Sequence, residues 1–157
     1  MGISRSKIYA VGASITCLAF AACSLDVHDN TVNIPNAKIS VTTNADVDHV
    51  TPGEMMPLTL NTTNVYLVDP ATTPPAEHAS DAGHVQIYLD DVATPPILIT
   101  AQVMVTVTVP AATPMGKHKF ICRVHKHDGT PTTTTFEVTF TVSVGVVPVD
   151  MAAVPHD

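Results

Sequence analysis

Three histidines hold the residue types and spacing best suited to chemistry. His125 and His127 lie two apart in PMGKHKFICRVHKHDG (residues 114–129), and His84 opens GHVQIYLDD (residues 83–91). Residues two apart on an extended strand share a face. His125 and His127 therefore project with Lys119, Ile121 and Arg123, opposite His118, Phe120, Cys122 and Val124. In the other segment His84, Gln86 and Tyr88 share a face, opposite Val85, Ile87 and Leu89. If the two strands pair antiparallel, the start of one meets the end of the other, and His84 comes beside His125 and His127. Three imidazoles on one outer sheet face, with Gln86 or Asp128 beside them, form a donor set for Zn(II) or Cu(II). The same residues also suit a plain solvated face, with His118 packed at the edge of the core. Met55, Met56, Met104 and Met115 are soft donors, but their scattered positions fit adaptable packing better than a copper(I) box.

Other chemistries leave no trace. The chain has no G-x-S-x-G, H-E-x-x-H, C-x-x-C, P-loop or G-x-G-x-x-G pattern. Ser80, Asp81 and His84 are neighbours in a loop without the strand-to-helix turn that exposes a nucleophile. The expectation is a protein that is not an enzyme.

Residues 1–22 read as an export leader. Arg5 and Lys7 form a positive start, and an apolar, small-residue run follows from Ile8 to Ala22. The run is too short for a stable membrane span. It ends in Leu18-Ala19-Phe20-Ala21-Ala22-Cys23, which resembles the lipobox of bacterial lipoproteins, with Phe20 where Leu is usual. The resemblance implies that Cys23 is lipidated and becomes the first residue; the alternative is ordinary cleavage after Ala21. It also implies, through Ser24, sorting to an outer membrane, where the chain faces the periplasm or the cell surface. Cys17 is lost with the leader, so Cys122 has no disulfide partner and is expected as a buried thiol.

Without its leader the chain has five Lys and Arg against 14 Asp and Glu. That balance disfavours nucleic acid as a partner. Four of the five bases fall between Lys117 and Lys126. The 13 prolines and abundant Val and Thr favour short strands and turns over long helices. Alternation marks strands at residues 38–43, 57–68 (broken near Asn61), 83–90, 97–100, 102–110, 117–127 and 134–144. Val103, Val105, Val107 and Val109 share one face, as do Phe136, Val138, Phe140 and Val142. Residues 69–83 read as a long loop. About seven strands without a helical period predict an all-β fold, a single antiparallel β-sandwich of immunoglobulin or fibronectin type. The expected layout is a leader at 1–22, a lipidated flexible tether at 23–36, the sandwich at 37–145 and a tail at 146–157.

GHVQIYLDD and PMGKHKFICRVHKHDGTP together are similar to motifs of small exported bacterial domains with an immunoglobulin-like sandwich and no assigned activity. The matching positions are Gly83, His84, Asp90, Gly116, His118, His127, Asp128, Thr130 and Pro131; Gln86 departs from a frequent His. Two functions are expected from these readings. One is a lipid-anchored envelope module that binds an envelope protein or serves a structural role. The other is a periplasmic copper or zinc binder using His84, His125 and His127.

Overall fold

The computed structural model describes residues 33–144. The leader, Cys23 and the tail at 146–157 lie outside the described residues. Eight strands follow in order: β1 Lys38–Thr42, β2 Met55–Thr63, β3 Tyr66–Leu67, β4 Ala82–Leu89, β5 Leu98–Thr100, β6 Met104–Thr108, β7 Gly116–Lys126 and β8 Pro131–Val142. They form two sheets, one ordered β1-β2-β6 and the other β3-β4-β7-β8, with β5 also paired to β4. Every pairing is antiparallel except the two-residue β3–β4 contact.

Alternation explains why the two sheets hold together. β1 buries Ile39 and Val41, and β2 buries Met56, Leu58 and Leu60. β4 contributes Val85 and Ile87, β7 contributes Phe120, Cys122 and Val124, and β8 contributes Val138, Phe140 and Val142. All belong to one apolar cluster, to which both sheets contribute their apolar parity. Phe120 and Phe140 meet at 4.6 Å between ring centres. The connection between β1 and β2 binds to the edge of β8. Val50 N–H donates to Thr141 C=O, and Ser143 N–H donates to Val50 C=O.

Several expectations shift. Among the described residues there are eight strands, because the expected 57–68 strand divides into β2 and β3. The break falls at Asn64, whose φ of 58° is left-handed, rather than at Asn61. Within the long loop, residues 76–78 form one turn of 3-10 helix. Val103 is 51% exposed and precedes β6, so the expected 102–110 strand buries only part of its valine face. The body also begins before Ala37: Ile34 is 2% exposed and lies within the core. Asn33 fixes this entry, because its Oδ1 accepts from both the N–H and the hydroxyl of Thr133.

Candidate functional site

β4 and β7 pair along nearly their whole length, with His84 directly opposite His125, Gln86 opposite Arg123 and Tyr88 opposite Ile121. The predicted antiparallel meeting of the two histidine strands is therefore present. The imidazoles of His84 and His125 stack with ring centres 5.7 Å apart. His127 extends the ladder by donating its N–H to Ala82 C=O, diagonally beside His84. Asp128 is exposed in the turn beyond, where its carboxylate accepts from Thr130 N–H.

The expected exposure of this face does not hold. His84 is 2% exposed, His125 6% and Tyr88 5%, and Ile121 is buried beside them. The reason is local: β4 is covered along one edge by β7 and along the other by β3 and β5. The cross-strand rings then cover one another, Tyr88 lying against His125 as His125 lies against His84. Buried imidazoles need partners, and a chain of side chains supplies them. His84 Nε2 lies 3.2 Å from Gln86 Nε2, Tyr88 Oη lies 2.6 Å from Gln86 Oε1, and Tyr88 Oη lies 3.1 Å from His125 Nε2. His125 Nδ1 donates to Gly129 C=O at 3.0 Å.

The protons in this chain are constrained. A carbonyl only accepts, so Nδ1 carries the proton of neutral His125 and Nε2 must accept. Tyr88 has one hydroxyl proton and faces two acceptors, Gln86 Oε1 and His125 Nε2. The Gln86 amide donates to His84 Nε2, which places the His84 proton on Nδ1. That atom is buried and has no partner among the described residues. A 180° turn of the amide resolves the competition at Tyr88 but leaves His84 Nδ1 unpartnered. His84 Nε2–H then donates to Gln86 oxygen, Gln86 nitrogen donates to Tyr88, and Tyr88 donates to His125. His84 Nδ1 is left with a bare lone pair.

Burial holds His84 below the usual imidazole value of 6.5; positive charge on His125 and His127 adds to this, and the Asp69 carboxylate opposes it. Burial also lowers His125, with the Gly129 carbonyl opposing and the Arg123 guanidinium reinforcing. Both rings are therefore neutral at neutral pH. His125 has both nitrogens engaged and cannot ligate a metal without breaking a bond. His127 Nδ1, like His84 Nδ1, is buried without a partner among the described residues. No three His, Cys, Asp or Glu side chains among the described residues converge to hold one metal ion.

A second histidine site stands at the other end of β4. Asp90 has a left-handed φ of 62°. Its Oδ1 accepts from Lys119 N–H at 2.9 Å, and its Oδ2 meets His118 Nδ1 at 2.7 Å. His118 Nε2 meets Pro114 C=O at 3.0 Å, and the ring lies against Phe140. The strand-ending Asp and the Gly-x-His opening thus form one clasp between β4 and β7. Of the clustered bases, Lys119 pairs with Glu137 at 2.7 Å and Arg123 Nε donates to Thr132 C=O. A groove of about 830 Å³ between β5 and the β2–β6 edge is lined by Thr42, Thr59, Leu98, Gln102 and Met104 among others, without a titratable side chain.

The sequence pairs His84 with His125 but does not point to Tyr88 as part of this centre. Tyr88 was recoverable, since it shares parity with His84 and Gln86. No protein-family model matches this chain, and no curated protein matches it.

Proposed function

We propose that this chain is a non-enzymatic, lipid-anchored module of the bacterial envelope, built as an immunoglobulin- or fibronectin-like sandwich. It works by docking an envelope protein or by a structural role, at an outer membrane and facing the periplasm or cell surface. The observation that carries the reading is a lipobox-like leader ending at Cys23, followed after nine residues by a folded β body. Two sheets sharing one apolar cluster support the sandwich, as does the central β4–β7 pairing. Its acidic composition supports export away from nucleic acid.

The test is expression in a Gram-negative host fed an alkyne fatty acid, with Cys23→Ala alongside. Wild type takes up the label, fractionates with membranes and yields an acylated peptide beginning at Cys23. Cys23→Ala loses the label. An unlabelled wild-type chain beginning at Ala22 would refute the anchor.

A further inference from the structure

The histidine centre leaves two buried ring nitrogens without a partner among the described residues, and the rest of the centre constrains what they bind. His84 is 2% exposed, and its Nδ1 has no partner among the described residues; the same holds for the buried Nδ1 of His127. A buried polar atom left unpaired costs about 1–3 kcal/mol. Here two such atoms stand on one face of the β4–β7 ladder, on residues in diagonal register. Diagonal neighbours in an antiparallel pair stand roughly 7–8 Å apart, with their Cβ atoms somewhat closer. That separation allows two imidazoles to meet at a single ion.

We propose that His84 Nδ1 and His127 Nδ1 hold a monovalent copper ion, Cu(I), in a two-coordinate site. The donor count selects the metal. Zn(II) completes four ligands and Cu(II) prefers a tetragonal set. Among the described residues no third His, Cys, Asp or Glu joins the pair. The two acids that act on these rings are both exposed and engaged elsewhere: Asp69 Oδ1 accepts from Ala71 N–H, and Asp128 Oδ1 accepts from Thr130 N–H. Two neutral imidazoles are a sufficient set for Cu(I), whose filled d shell accepts linear coordination. His125 is not a ligand, because Gly129 and Tyr88 occupy its two nitrogens.

The Gln86 chain supplies what a ligating histidine needs behind it. Such a ring usually donates its other N–H to a fixed acceptor. When Cu(I) takes the His84 Nδ1 lone pair, the ring proton resides on Nε2, which then donates to the turned Gln86 amide. Gln86 donates to Tyr88, and Tyr88 donates to His125. No proton leaves the protein, and the competition for the Tyr88 proton ends. Metal binding and the satisfied hydrogen-bond chain favour the same amide orientation.

The experiment is competition for Cu(I), delivered as its bicinchoninate complex under nitrogen, with the full chain and with His127→Ala and Gln86→Leu. Zn(II) and Cu(II) are titrated in parallel. The expected result is one Cu(I) per chain, bound more tightly than either divalent ion. His127→Ala weakens it more than tenfold, and Gln86→Leu, which keeps both nitrogens, weakens it about tenfold. Two-bond proton–nitrogen spectra of the histidine rings keep the test independent of variant folding. On Cu(I) addition to the unaltered chain, the Nδ1 signals of His84 and His127 show the large shift of metal ligation, while His125 Nε2 shows only the smaller shift of a strengthened hydrogen bond from Tyr88 and His125 Nδ1 stays. No Cu(I) uptake by the folded chain overturns the proposal. So does uptake kept by His127→Ala, tighter Zn(II) or Cu(II) binding, or a ligation-sized shift at either His125 nitrogen.

Discussion

Gly83→Ala gives the sharpest test of the packing at the head of β4, because two effects predict opposite signs. Gly83 has no left-handed backbone, and at such a position Ala usually stabilises by about 0.4–1 kcal/mol through the unfolded chain. Space argues the other way. A Cβ on Gly83 would collide with the carbonyl oxygen of His125 and press on Ile34 Cδ1 at 3.4 Å. The carbonyl is backbone, so relief requires β7 to move away from β4 where Gly83 faces Lys126. Overpacking costs about 1–3 kcal/mol, and one strained ladder hydrogen bond adds about 1 kcal/mol. The net expectation is a loss of about 2–3 kcal/mol, or a melting temperature lower by roughly 8–12 °C at about 4 °C per kcal/mol. Thermal unfolding followed by circular dichroism measures this. Gly53→Ala is the control: its φ is 87° but nothing stands within 4 Å of a new Cβ, so only the left-handed backbone cost of about 1–2 kcal/mol applies. An unchanged or raised melting temperature for Gly83→Ala would mean that β7 makes room for the new Cβ without cost.

Two further outcomes follow from buried titratable groups. His84 and His125 are held below 6.5 in the fold, so the unfolded chain binds more protons between the unfolded and folded values. Stability is therefore full above pH 6.5 and falls as pH drops through that value, by at most about 1.4 kcal/mol per pH unit for each ring. Urea unfolding from pH 8 to pH 5 reads this, and stability that is flat or rises on acidification contradicts the buried neutral rings. Cys122, fully buried with burial pushing its thiol up to about 12, stays unmodified by a thiol reagent in the folded chain and reacts once urea unfolds it. Rapid reaction of the folded chain would place the thiol elsewhere than the core.

The alternation of β4, β7 and β8 was legible because apolar parity is a property of the strand alone. It assigned Val85, Ile87, Phe120, Val124, Val138 and Phe140 to the core, where they lie. It also paired the two histidine strands. What alternation does not carry is the exposure of the opposite parity, which depends on neighbours. His84 and Tyr88 read as outward and are buried, because β4 has pairing on both edges and rings stack across it. The clasp of Asp90 on His118 joins residues 28 apart and depends on register. The β8 boundary was missed because the ladder is irregular there. From His125 to Arg123 is two steps along β7, while their partners Pro131 and Thr135 are four apart. Ile34 was hidden beside Pro35 and Asn36, which read as linker.

If Cys23 carries lipid, the placement of Ile34 sets how the body would stand at a bilayer. Ile34 packs beside Gly83 and Asn33 binds Thr133, so the chain enters the fold at the end that holds His84, His125 and His127. Nine residues separate this entry from Cys23, a reach of at most about 32 Å when fully extended. With Cys23 lipidated, the histidine end stays within that distance of the headgroups. The Asp90–His118 clasp, at the far end of the eight-residue β4, lies about 25 Å further along the strand. Such an anchor would give the molecule a polarity: an ion bound at His84 and His127 would be exchanged in the layer of water next to the membrane.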